Sequence, residues 1–111
     1  MAQRMIRLNR LIFRELNTLL HTLFRERADK ISITDVEVSQ DLRDAHVYFS
    51  VVGPGEDIGE AKKFFEKNSG ILRHRLFRRV LLKFSPRLNF HHDDSISRGQ
   101  NVLKILDDLR D

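Results

Sequence analysis

The apolar positions of the chain repeat with two periods, one helical and one of alternate residues. From about Gln3 to Arg27, Leu8, Ile12, Leu16, Leu19, Leu20 and Leu23 recur at helical spacing and predict one long helix with a broad buried face. Arg7, Arg10, Arg14, His21 and Arg25 line up on its opposite side. Next, Ile31, Ile33, Val36 and Val38 alternate with polar residues as a strand does, and the alternation slips by one register at Thr34-Asp35. A β-bulge there would place both halves on the same buried face. Ser39 to Leu42 supplies turn chemistry, and Ala45, Val47, Phe49 and Val51 alternate in a second strand, so the simplest account is an antiparallel hairpin.

Gly53-Pro54-Gly55 closes that strand as a turn, and its spacing to Gly59 fits neither a phosphate-cradling loop nor a dinucleotide fingerprint. A helix starts at about Asp57, with Ile58, Ala61 and Phe65 facing one way, Phe64 beside them, and Asp57 and Glu60 in the first turn, where the helix dipole favours negative charge. Asn68-Ser69-Gly70 puts three poor helix formers in a row. Glycine alone costs about 1 kcal/mol relative to alanine inside a helix, so a kink or a break is expected there. Leu72, Leu76 and Val80 resume the apolar spacing and leave Arg73, Arg75, Arg78 and Arg79 off that line. Ser85-Pro86 ends the pattern, and Leu88, Phe90 and His92 alternate with Arg87, Asn89 and His91 in a third strand. Asp93-Asp94-Ser95 reads as the cap of a final helix over 95–111, carried by Ile96, Val102, Leu106 and Leu109. The order helix, strand, strand, helix, kink, helix, strand, helix predicts an α+β domain with helices on one face of a three-stranded sheet, and 111 residues suit a single domain over 1–111.

Charge changes this picture most. Between Lys67 and His92 stand seven of the chain's 20 Lys and Arg, namely Lys67, Arg73, Arg75, Arg78, Arg79, Lys83 and Arg87, without a single carboxylate. The remaining 13 basic groups face all 16 acidic ones, so the whole positive excess sits in one window, the electrostatic footprint of a nucleic-acid binder. For the first-helix arginines two readings stand, a solvated face or a second, weaker phosphate surface. The acid-free start, with Arg4, Arg7, Arg10 and Arg14, shares its composition with organellar transit peptides, but the same residues build the patterned helix.

With 41% apolar and 32% charged residues the chain can bury a core, and no apolar run is long enough to cross a bilayer. It contains no cysteine, which excludes disulfides, thiolate metal sites and a cysteine nucleophile. His91-His92-Asp93-Asp94 holds metal-ligating residue types. Adjacent strand residues point to opposite faces, however, so the two histidines cannot easily share an ion, and the group reads as a strand end running into a helix cap. No catalytic carboxylate set or Ser/His/Asp arrangement stands out. Three functions follow in order of preference: a non-catalytic RNA-binding factor, a metal-dependent RNA-processing enzyme using His91 to Asp94, and a basic protein-interaction module.

Several local signatures taken together resemble the ribosome-binding factor A family. They are Ile33-Thr34-Asp35-Val36-Glu37-Val38-Ser39, then Asp41-Leu42 with Ala45-His46-Val47-Tyr48, then Asn68-Ser69-Gly70 with Leu72-Arg73. Ser85-Pro86-Arg87-Leu88-Asn89-Phe90 and Asp93-Asp94-Ser95 with Arg98-Gly99 complete the set. The resemblance implies a type II KH-like domain in which an interhelical Ala-x-Gly kink replaces the Gly-x-x-Gly loop. Asn68 stands where that kink has alanine, Arg87 stands where the family usually has glutamate after the proline, and the segment from Arg27 to Ile31 is shorter than usual. It further implies a cytoplasmic protein, monomeric when free, that binds the small (30S) ribosomal subunit precursor and its 16S rRNA and assists late rRNA maturation. No enzyme activity, metal, cofactor, small-molecule substrate or membrane is implied. The expected RNA-binding residues are Asn68, Ser69 and Gly70 at the kink, Arg73, Arg75, Arg78, Arg79 and Lys83 beyond it, and Arg87 on the neighbouring strand.

Overall fold

The computed structural model of the chain describes residues 2–52, 57–80 and 85–93. Helix α1 spans Ala2–Leu23 and buries Ile12, Leu16, Leu19 and Leu20, with Leu8 and Leu23 partly covered. The single helix expected to reach Arg27 is divided at Phe24, where φ is −135° and ψ is 57°, and one further turn, α2 (Arg25–Ala28), follows. Phe24 leaves the helix to meet Phe64 edge to face at 5.0 Å, and the Arg27 guanidinium stands 5.1 Å over the same Phe64 ring. That aromatic and cationic contact outweighs the local helical pattern.

Strands β1 (Ile31–Val38) and β2 (Asp44–Val51) pair antiparallel. Ile33 faces Phe49 and Asp35 faces Tyr48, which leaves Thr34 as the extra residue of a bulge where the alternation slips. Ile31, Ile33, Val36 and Val38 are all buried as a result. Asn9 of α1 fixes the end of β1 by accepting the Val38 N–H at 2.9 Å. In the hairpin loop the Asp41 carboxylate accepts from the Ser39 hydroxyl at 2.6 Å and from the Arg43 N–H at 3.1 Å. Leu42 sits there with φ 61°, a left-handed conformation unusual for leucine, and its side chain packs against the core.

Asp57 caps helix α3 (Ile58–Arg79), its Oδ1 accepting the N–H of Gly59 at 2.6 Å and of Glu60 at 3.3 Å. Of the kink or break expected at Asn68-Ser69-Gly70, the break does not occur: the helix runs through to Arg79 as one element. The reason is phase: Ala61, Phe65, Leu72 and Leu76 are buried at steps of four and seven residues, a line that a continuous helix keeps on one face. The two polar residues fold back on the preceding turn, Asn68 Nδ2 donating to the Phe64 carbonyl at 2.8 Å and Ser69 Oγ to that of Glu66 at 3.1 Å.

Strand β3 (Arg87–His92) lies parallel to β2, giving a three-stranded sheet of order β1-β2-β3 with α1 and α3 on one face. Phe65 of α3 stacks on Phe90 of β3 at 4.5 Å and meets Phe49 of β2 at 5.0 Å, so a ladder of rings fastens the helix to the parallel half of the sheet. The expected Gly53-Pro54-Gly55 turn, Lys83 and the final helix over 95–111 lie outside the described residues.

Candidate nucleic-acid interface

An α-helix turns about 100° per residue, and on α3 that rotation sorts the polar side chains into three rows. Lys62, Glu66, Ser69 and Arg73 form one row, directed toward β3. Together with Leu88, Asn89, Phe90 and His91 of that strand, the first three line a groove of about 300 Å³. Arg73 closes one end of this side, its Nε donating to Ser85 Oγ at 3.1 Å and its Nη2 to the Ser85 carbonyl at 2.6 Å. In a parallel ladder successive residues point their backbone groups to opposite edges. Arg87 donates its N–H to the Arg43 carbonyl just before β2 and Asp93 donates to Phe49 of β2, so Leu88 and Phe90 turn theirs outward along the rim of the groove.

A second row, Lys63, Lys67, His74 and Arg78, points away from the sheet and is exposed throughout. The third leans toward α1 and holds Arg75 and Arg79. There Arg79 forms an ion pair with Glu15 of α1. Gly70 lies between the first two rows with nothing within 4 Å of the position a Cβ would take, so packing does not explain the absence of a side chain.

The expected site residues therefore divide. Ser69, Gly70 and Arg73 stand beside the groove, Arg78 belongs to the outward row, and Asn68 is half-buried and occupied by the Phe64 carbonyl. Arg75 is exposed near α1. Arg87 is on the open face of the sheet, paired with Asp44 at 3.1 Å, and Lys83 lies outside the described residues. The residues expected from the sequence did not include Lys62, Lys63, His74, Asn89 or His91 for this surface, and Lys67 entered only as part of the basic window. The spacing 62, 66, 69, 73 was the available signal, because it continues one helical row across Asn68-Ser69-Gly70 as if no break existed.

His91 and His92 go to opposite faces of β3. His91 Nε2 lies 3.0 Å from His46 Nδ1 and its ring is 5.4 Å from that of Tyr48, whereas His92 meets Phe49 edge to face at 5.9 Å. Burial, then His46 and Lys62, hold the His91 imidazole below its ordinary pKa. Thr34 donates its hydroxyl to Asp93. Among the described residues no group of three or more His, Cys, Asp or Glu could hold a metal ion, and no helix is long and apolar enough to cross a membrane.

The sequence profile of the family described as Ribosome-binding factor A matches residues 4–106. The ribosome-binding factor A of Opitutus terrae is 36% identical over 109 residues, covering 98% of this chain and 89% of that protein. That of Xanthomonas euvesicatoria is 37% identical over 99 residues, covering 88% of this chain and 75% of that protein. The crystal structure of ribosome-binding factor A from Thermus thermophilus has the same fold, with a TM-score of 0.72 at 23% identity over 79% of this chain and 94% of that one. A homology model of the Thermus thermophilus factor, fitted into the cryo-EM map of a 30S complex with it, matches with a TM-score of 0.60 at 25% identity over 73% of this chain and 86% of that one. Strand order, the helix pair on one face and the groove at the parallel edge define a type II KH-like domain. The chain belongs to the ribosome-binding factor A family.

Proposed function

We propose that the protein is a non-catalytic assembly factor of the cytoplasm that binds the precursor of the small (30S) ribosomal subunit through its 16S rRNA and assists late maturation of that RNA. The observation that carries this reading is the groove between α3 and the outer edge of β3, with a cationic row on the helix beside it. A single strand laid along the groove would meet three kinds of group. Lys62 and Arg73, with Lys67 and Arg78 on the outer row, attract phosphates. The outward backbone groups of Leu88 and Phe90 can hydrogen-bond base edges, as unpaired strand edges do. Gly70, without a side chain, lets the sugar-phosphate chain approach the helix backbone. Asn68, Ser69, Arg75, Arg79 and Lys83 belong to the same proposed surface as supports or flanking cations, and Arg87 extends it onto the strand. Glu66 and Asn89 supply an acceptor and an amide for base contacts. The single domain over 1–111 would act as a monomer, with no metal or cofactor.

Crosslinking to purified precursor and mature small subunits, read at nucleotide level, tests partner, site and stage together. Crosslinks from the α3 and β3 residues to 16S rRNA in the precursor are expected; their absence from both particles overturns the reading. If about five cations meet phosphates, log affinity falls against log salt with a slope of about −3.5 for single-stranded RNA and about −4.5 for a duplex. A flat response would place the affinity in something other than phosphate contacts.

A further inference from the structure

The groove beside β3 leaves the outward face of α1 without an assigned role. Arg7, Arg10 and Arg14 follow one another there at steps of three and four residues, with His21 seven residues further on, and all four are exposed. Arg7 and Arg14 are about 10 Å apart along the axis at 1.5 Å per residue. Among the described residues none of the three arginines has a carboxylate partner, because Glu15, the helix's only acidic residue, is rotated toward α3 and taken by Arg79. The surface is shallowly concave rather than ridged, lined by Arg10, Phe13, Arg14, Asn17, Thr18 and His21. An ordinary solvated helix face mixes both signs. This one carries a single sign.

We propose that this face of α1 is a second RNA-backbone surface, on which Arg7, Arg10 and Arg14 hold phosphates of an rRNA segment other than the one in the groove. The chemistry selects RNA over a protein. All three groups are guanidiniums, whose planar fork matches phosphate oxygens in a bidentate way. A protein interface would need a central apolar anchor, and the one exposed apolar side chain among these arginines, Leu11, is only 39% exposed and ringed by guanidiniums. Position selects a second segment. α1 and α3 run in opposite directions, as the contacts of Glu15 with Arg79 and of Phe24 with Phe64 require. A strand in the β3 groove lies on the far flank of α3 and would have to cross that whole helix to reach Arg10. The inference rests on the RNA-binding reading above only in naming rRNA as the source of the phosphates.

The test uses the full chain with Arg7, Arg10 and Arg14 all replaced by glutamate, and a second variant with all three replaced by glutamine. Filter binding to precursor particles, to naked 16S rRNA and to a short single-stranded rRNA oligonucleotide is measured across a salt series. The expected result for the glutamate variant is an affinity about tenfold or more lower for particle and naked rRNA, with a salt slope smaller in magnitude by about two to three. Oligonucleotide binding in the groove should be unchanged, and the glutamine variant should fall between the two. Unfolding transitions should match the wild type, since the replaced side chains are exposed. Wild-type affinity and slope in both variants would overturn the proposal. So would a loss confined to the particle with naked rRNA bound normally, which would make the partner an acidic ribosomal protein. If the wild-type protein binds naked rRNA but not the particle, the proposed function fails, and the α1 surface is still judged on naked rRNA.

Discussion

α1 and α3 are both 22 residues long and lie on the same face of the same sheet, yet they carry their charge in different ways. On α1 the core face and the cationic face are opposite and continuous, so the helix is the same object at every turn. On α3 the cations surround the helix, and each side meets a different neighbour: β3 on one flank, water outside, α1 on the other. A run of arginines in the sequence therefore becomes one surface on α1 and three on α3. What decides is the phase of each cation relative to the buried line, not the number of cations in the window.

The largest effect that could break this comparison is in the core that both helices share. Phe65→Ala removes a fully buried ring stacked on Phe90 and is expected to cost about 3–5 kcal/mol, against about 2–5 kcal/mol for Leu16→Ala on α1. Urea unfolding of both variants measures the difference. A cost below about 2 kcal/mol at Phe65 would mean that the ring ladder does not fasten α3 to the parallel strands.

Next comes the outward row of α3. Lys67→Glu with Arg78→Glu should weaken binding to precursor particles by about tenfold or more while the unfolding transition is kept, because both side chains are exposed. Reversing Arg79 alone should do less, since its charge is already matched by Glu15. Equal losses would show that the sorting into rows does not govern binding.

How much of this was legible beforehand differs along the same line. The bulge at Thr34-Asp35 could be read directly, because a one-residue slip in a period of two has only that structural solution if both halves are to be buried. The α+β order and the antiparallel hairpin followed from the same alternation. The division of the first helix at Phe24 was not legible, since it depends on Phe64, forty residues away in sequence and adjacent only in the fold. For α3 the sequence left a kink and a break both open, and only the fold decides against the break. Local propensity at Asn68-Ser69-Gly70 argues for a break, but the buried line through Ala61, Phe65, Leu72 and Leu76 overrides it. For the site, the charge window marked α3, while the split of its cations among three neighbours required the positions of α1 and β3.

Gly70 offers a smaller effect with two opposite signs. Open space around its Cβ position means that Gly70→Ala should stabilise the fold by about 0.5–1 kcal/mol, the ordinary gain of alanine over glycine inside a helix. The added methyl would stand where the proposed RNA approaches the helix backbone, so oligonucleotide affinity should fall as thermal stability rises. A rise in both would remove Gly70 from the interface. The Arg79–Glu15 contact between the two helices is smaller again. With Arg79 47% exposed it should be worth about 0–1 kcal/mol in a double-mutant cycle with Glu15→Gln, since exposed pairs are screened by water.

The smallest effect separates the helix layer from the open face of the sheet, where Asp35, Glu37 and Asp44 accompany the His46–His91 pair. Burial, then His46 and Lys62, hold the His91 pKa below its ordinary value, so the folded state prefers the neutral ring. The unfolded chain takes up its proton at the higher, ordinary value of about 6.5. Stability from this group is therefore fully present above that pH and is lost as pH falls from there toward the folded pKa, where both states are protonated. Between pH 7.5 and 5.5 the wild type should become slightly less stable by this route, and His91→Asn should lose that part of the pH dependence. An unchanged pH slope in His91→Asn would move the effect to another group.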